Sequence, residues 1–276
     1  MNNLPLLSFN KAGIYCEKGD FYIDPWKKVN RAVITHAHSD HAREGSKYYM
    51  AHKDTVPVLK QRLGPVVTES TEYGKKHSIN GVKVSFHPAG HIIGSSQIRI
   101  EYKGEVWVVS GDYKLENDNV SQPFEPVKCD VFISETTFGL PIYKWKPQKE
   151  VFEEINAWWK KNAEEHKASV LYGYSLGKAQ RIIQNIDFQI GPVYTHGAVE
   201  NINQIFRDGG FPIKPTQSLV SVENKNDFNK SLVIAPPSAE GGKWLKRLGS
   251  YSTAMASGWM AVRGMRRRRP VDRGFV

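Results

Sequence analysis

Arg31-Ala32-Val33-Ile34-Thr35-His36-Ala37-His38-Ser39-Asp40-His41 runs from a β-prone apolar stretch straight into three imidazoles and a carboxylate within six residues. Burying such a cluster without a metal is costly, because polar groups away from water need partners. Neutral imidazole and carboxylate are good donors to Zn²⁺ and Mn²⁺. A loop leaving a strand can aim His36 and His38 at one ion while Asp40 and His41 turn toward a second. Two further donors stand in suitable settings. His91 lies in Pro88-Ala89-Gly90-His91-Ile92-Ile93-Gly94-Ser95, where glycines let the backbone pass close to an ion. Asp112, in Val109-Ser110-Gly111-Asp112-Tyr113, ends a strand, where a carboxylate can bridge two ions. A surface loop that is His-rich by chance is the competing reading, and it leaves His91 and Asp112 unexplained.

Outward from this cluster, the first half of the chain reads as strands and turns. Val82–Phe86 and Gln97–Tyr102 alternate apolar and polar residues, and Lys103-Gly104-Glu105 turns the second run into Val106–Val109. Asp130–Ser134 closes the strand-rich half. Beyond Gly139-Leu140-Pro141 the character changes to alternating helix and strand. Val151, Phe152, Ile155, Trp158 and Trp159 make one apolar helical stripe, followed by strand Ser169–Tyr172, helix Lys178–Asn185, strand Pro192–Tyr194, helix Val199–Phe206, strand Leu232–Ala235 and helix Lys243–Leu248. The expected domains are 1–139, 140–272, and a return strand beginning at 273–276.

The 276 residues are 40% hydrophobic and 24% charged, an ordinary globular composition. No apolar run approaches the roughly 20 residues of a membrane span and no signal peptide opens the chain, so a cytoplasmic protein is expected. Two cysteines, Cys16 and Cys129, stand outside any Cys-x-x-Cys pattern, which excludes a disulfide framework and leaves His, Asp and Glu to hold any metal. A net charge of +10 favours a polyanionic partner, against the plainer reading of a solvated basic surface. The run Arg266–Arg269, with Arg263 and Arg273 nearby, extends that positive character or is simply a solvated loop.

The order His36-x-His38-x-Asp40-His41, His91, Asp112 resembles the metal motifs of the metallo-β-lactamase superfamily. Asp24, in Tyr22-Ile23-Asp24-Pro25, matches the early aspartate that orients the histidine loop there; its plain alternative is to start a turn. Ser134-Glu135-Thr136-Thr137-Phe138-Gly139 resembles the first motif of the β-CASP nucleases. Gly139–Tyr143, Gly173–Gln180, Ala235–Ala239 and Ala256–Met260 resemble the β-CASP insert, most closely that of bacterial ligase-associated DNA exonucleases. The resemblance implies an α/β fold, an incomplete αββα sandwich carrying an inserted α/β domain. It also implies two divalent ions, Zn²⁺ or Mn²⁺. His36, His38, His91 and Asp112 would hold the first, and Asp40, His41 and shared Asp112 the second. Catalytic roles fall to Asp40 and Glu135, and backbone contacts to Tyr174, Ser175 and Lys178. The implied activity is a DNA exonuclease in repair or processing, acting on single-stranded or end-containing DNA, with an ATP-dependent DNA ligase and a helicase as partners. RNA processing, a thioester or lactone hydrolase, and a non-catalytic nucleic-acid-binding subunit are the alternatives.

The family supplies two further histidines on its return from the insert, and neither is present before Val276. The expectation is therefore a C-terminally shortened chain, binding one metal well and a second weakly, with the nuclease activity assigned to the full-length form. His196 falls too early to replace either one and reads as local or substrate-facing. His52, His77, His87 and His166 read as ordinary surface or packing residues.

Overall fold

The computed structural model describes residues 5–219, 228–262, 264, 267 and 271–276. They form two compact units, Met1–Thr136 and Thr137–Val276, in a mixed α/β arrangement.

The first unit carries two sheets. One contains β1 (Ser8–Asn10), β2 (Gly13–Cys16), β3 (Phe21–Ile23), β4 (Arg31–Val33), β5 (Tyr48–His52) and β6 (Thr68–Thr71), in that spatial order. It is antiparallel through β3 and parallel from β3 to β6. The other contains β7 (His77–Ile79), β8 (Val82–Pro88), β9 (Ser96–Tyr102), β10 (Glu105–Val109) and β11 (Val131–Ile133), with β11 parallel to β10 and the rest antiparallel. The alternation read in β8 turns Val82, Val84 and Phe86 inward, where they are fully buried. They join Phe21, Ile23, Val33 and Met50 of the first sheet in one apolar core. Each such side chain contributes about 1.5–3 kcal/mol on leaving water, and this burial holds the sheets face to face. The β9–β10 hairpin turns at Lys103 and Gly104, both at positive φ (50° and 88°), the conformation whose twist suits a two-residue connection.

Strand β4 stops two residues short of the expected Thr35. Ile34 N–H still donates to Met50, but Thr35 N–H turns away to the carboxylate of Asp24. Among the described residues this unit has one α-helix, α1 (Val56–Leu63), which buries Val56, Val58 and Leu59.

The second unit is a parallel sheet with the spatial order β14-β13-β15-β12-β16-β17. Its strands are β12 (Ala168–Tyr172), β13 (Val193–Thr195), β14 (Gln217–Ser218), β15 (Leu232–Ala235), β16 (Tyr251–Ala256) and β17 (Arg273–Phe275), and its helices α2 (Gln148–Glu164), α3 (Lys178–Asn185) and α4 (Gly197–Asp208). The apolar stripe of α2 buries Phe152, Ile155, Trp158 and Trp159, while Val151 stays half-buried. Two readings differ from the structure here, and one strand carried no reading. The helix expected at Lys243–Leu248 is a 3₁₀ run over Lys243–Arg247, the form that so short a segment adopts when it cannot offset α-helix nucleation. Strand β16 has no β-branched pattern to announce it and exists because β12 and β17 pair on either side. Arg273–Phe275, expected to open a strand back to the first lobe, is the edge strand of this sheet. Arg263, Arg266, Arg268 and Arg269 lie outside the described residues.

Candidate metal centre

The centre is built where β4 ends. Asp24, at a positive φ of 43°, tucks its carboxylate beneath the histidine loop. Oδ1 accepts from Thr35 N–H at 2.8 Å, and Oδ2 accepts from the Thr35 hydroxyl at 2.5 Å and from His41 Nδ1 at 2.7 Å. With the Thr35 hydroxyl hydrogen committed to Asp24, the 3.1 Å contact between Thr35 Oγ1 and His36 Nδ1 requires the proton on Nδ1. Both His36 and His41 therefore turn Nε2 away from Asp24, to the side on which an ion would take it. Asp24, expected to orient this loop, is bonded to Thr35 and His41 within it.

Four donors gather on the other side. His38 Nδ1 lies 2.9 Å from His36 Nε2 and 3.2 Å from His91 Nε2, and Asp112 Oδ2 lies 3.4 Å from His91 Nε2 and 3.8 Å from His36 Nε2. Donors at 2.0–2.1 Å from a tetrahedral ion stand roughly 3.3 Å apart, so this set has the chemistry and the size for one. A second group, within 4.8 Å of one another, comprises His41, Asp112 and Glu135. Asp112 divides its oxygens between the two: Oδ2 faces His36 and His91, and Oδ1 lies 3.8 Å from His41 Nε2.

Of the expected ligands, His36, His38, His91 and Asp112 meet in one group. Asp40 belongs to neither group. Its side chain is 73% exposed, with Oδ2 3.8 Å from His41 Nε2, while Glu135, expected as a catalytic residue and not as a ligand, joins His41 and Asp112 in the second group. Tyr174 is exposed, and Ser175 and Lys178 are half-buried, on the turn from β12 into α3 of the second unit. His196 caps α4, its Nδ1 accepting from Ala198 N–H at 3.2 Å.

The electrostatics follow from burial. His36 is fully buried and its pKa falls well below the ordinary value, first by desolvation and then by the neighbouring imidazoles of His41, His91 and His38. Burial also opposes charge on His41, but the hydrogen bond and charge of Asp24, helped by Asp112 and Asp40, outweigh it and lift His41 to about 9. The Asp112 carboxyl is pushed up to about 6, chiefly by burial; His41 resists the rise, and Glu135, Asp40 and Asp24 add to it. A divalent ion would relieve this crowding of carboxylates.

Gly111, preceding Asp112, has φ +55°, and a Cβ there would meet Thr35 Oγ1 at 2.5 Å and Thr35 Cβ at 2.7 Å. Gly111→Ala is expected to lower stability by about 2–4 kcal/mol, since Thr35 is held by Asp24 and cannot give way. Urea unfolding of the metal-free chain checks this; a parent-like midpoint contradicts it.

Several supporting residues carried no sequence signal. The His52 ring stacks on Tyr73 at 3.7 Å between centroids, and Tyr73 donates its hydroxyl to Ser95 O at 2.9 Å. Burial, and then Lys53, pull His52 down to about 4, so it packs as a neutral ring, in keeping with its reading as a packing residue. Arg62 donates to Ala37 O, and Thr55 to Gly94 O. These partners are far apart in the chain, and only the tertiary fold unites them.

Two facing sheets thus bring clustered imidazoles and a shared carboxylate together at their strand ends in a centre that could hold metal ions. No family model matches the chain. It is 28% identical over 269 residues to a probable DNA ligase of Opitutus terrae, covering 95% of this chain and 26% of that protein. It is 25% identical over 219 residues to an RNase J-like protein of Methanocaldococcus jannaschii, covering 65% of this chain and 50% of that one. To the endoribonuclease ysh-1 of Neurospora crassa it is 21% identical over 233 residues, covering 67% and 26%. The chain thus spans a quarter to a half of the length of these relatives. These likenesses agree with the metallo-β-lactamase/β-CASP resemblance of the motifs.

Proposed function

We propose that this chain is the metal-bearing part of a nucleic-acid phosphodiester hydrolase, a DNA exonuclease of repair or processing. The observation that carries the reading is the Asp112 carboxylate shared between two donor groups. His36, His38, His91 and Asp112 would hold one divalent ion, and His41, Asp112 and an acid from Glu135 or Asp40 a second, Zn²⁺ or Mn²⁺. Bound there, such ions supply an acidic water and positive charge for the phosphodiester. Asp24 keeps His41 and His36 in the tautomer that presents Nε2. Asp40, exposed beside His41, orients the attacking water. Glu135, at the exit of β11, positions the group that protonates the leaving oxygen or donates to the second ion.

The second unit, approximately residues 140–272, is read as the β-CASP insert, offering Tyr174, Ser175 and Lys178 to the strand backbone, with the first unit an incomplete αββα sandwich. DNA is favoured because the likeness to a probable DNA ligase extends over nearly the whole chain. That likeness also supports a DNA ligase, together with a helicase, as partners. RNA processing is the second reading, favoured by the RNase J-like and endoribonuclease relatives. A cytoplasmic setting belongs to the same proposal; Cys16 and Cys129 are free thiols, as a reducing compartment keeps them. No helix among the described residues is long and apolar enough to cross a membrane.

End-labelled single-stranded DNA and RNA incubated with the protein and Mn²⁺ or Zn²⁺ test the proposal. DNA shortening that a chelator stops, and that Asp40→Ala slows by at least about 100-fold, is expected. An Asp40→Ala protein that cuts at the parent rate removes Asp40 from the mechanism, and chelator-resistant cutting removes the metal.

A further inference from the structure

Helix α1 touches both ligand loops, one from each end. Thr55 holds its N-cap position and is 1% exposed, yet its hydroxyl caps no helix N–H. It donates instead to the Gly94 carbonyl at 2.8 Å, 39 residues away. Gly94, at φ +78°, presses so close that a Cβ would lie 2.6 Å from Thr55 Oγ1 and 2.8 Å from Thr55 N. That carbonyl sits in the turn that carries His91. Ser95 N–H closes the turn onto Ile92 O at 3.0 Å, and the Ser95 hydroxyl accepts from the N–H groups of His91 and Ile92, each at 3.1 Å. In the last turn of α1, Arg62 donates through Nη1 to the carbonyl of Ala37, the buried residue between His36 and His38.

A polar N-cap contributes roughly 1 kcal/mol to a helix. Here α1 has eight residues, no side-chain cap and no acidic residue in its first turn, so it forgoes that help. Its stability comes from packing Val56, Val58 and Leu59 into the unit. Its two polar ends are spent on the loops that bear the donors.

We propose that α1 is a spacer setting the separation of the His36–His38 loop and the His91 turn, with Thr55 and Arg62 as positioning residues for the donors of the first ion. The proposal rests on the metal reading above. Metal–ligand distances tolerate only about ±0.2 Å, so a loop freed at one end of α1 loses donor geometry before it loses its fold.

The test is a Zn²⁺ competition titration of the 276-residue chain against a chromophoric chelator, with hydrogen exchange of the metal-free protein alongside. Thr55→Val and Arg62→Met are each expected to weaken Zn²⁺ binding by about 10- to 100-fold. Thr55→Ser and Arg62→Lys, which retain a donor, stay close to the parent. Exchange should quicken locally: over residues 90–95 for Thr55→Val and over 36–42 for Arg62→Met. Parent-like binding by both truncating variants overturns the proposal, as does a loss of affinity accompanied by faster exchange throughout the first unit. A parent that binds no Zn²⁺ overturns the metal reading and this one together, whereas a parent that binds beside unaffected variants overturns only the spacer.

Discussion

Asp112→Asn is expected to empty both donor groups at once while leaving the metal-free protein at least as stable as the parent. Asp112 is the one residue common to the two groups, with Oδ2 toward His36 and His91 and Oδ1 toward His41. An amide keeps the shape but removes the charge and half of the acceptor capacity. Metal content should fall at both groups, and activity by at least about 1,000-fold. His91→Ala, which touches only the first group, should spare the second.

The stability arm has the opposite sign. The Asp112 carboxyl rises from the ordinary carboxylate range to about 6, so the folded chain disfavours its charge. That cost is absent below the unfolded value near 4, grows between about 4 and 6, and is full above 6. The neutral Asn escapes it, raising metal-free stability at neutral pH by on the order of 1–2 kcal/mol. Metal analysis and denaturant unfolding read the two arms separately. A variant that kept the parent's metal content would end the assignment of Asp112 as the shared ligand.

Asp24→Ala should have the largest effect on stability. The substitution strands Thr35 N–H, the Thr35 hydroxyl and His41 Nδ1, all buried and all bonded to this one carboxylate. Removing one partner of a buried charged pair costs about 3–5 kcal/mol. The pH dependence identifies the cause. In the metal-free parent His41 titrates near 9, above its unfolded value near 6.5. The stabilisation from its bond to Asp24 is therefore complete below about 6.5 and is lost as pH climbs through 9. Unfolding at pH 6 should separate variant from parent more widely than unfolding above pH 9. In the variant, burial of His41 is left without its main opposition, and an imidazole NMR titration should find its pKa well below 9. Equal gaps at the two pH values would show that the loss is packing alone.

Much of this protein was legible in its residues. The apolar stripe of α2, the alternation of β8 and the Lys103-Gly104 turn are local periodicities, and each became the element it announced. His36, His38, His91 and Asp112 were recognisable because imidazoles and a carboxylate at strand exits are a costly choice unless they meet. Strand β16 was not legible, since Tyr251-Ser-Thr-Ala-Met-Ala256 has little intrinsic strand pattern and is extended by its neighbours.

Sequence alone offered candidate donors, because residue chemistry is independent of where the chain travels. Tertiary structure decided their division: Asp112 split between two groups, Glu135 rather than Asp40 grouped with His41 and Asp112, and α1 joining two loops through Thr55 and Arg62. Such contacts span long stretches of chain, 25 residues for Arg62 with Ala37 and 53 for His91 with His38. No local periodicity encodes such a distance. It is set by the packing of the two sheets of the first unit and by helix α1, which buries Val56, Val58 and Leu59.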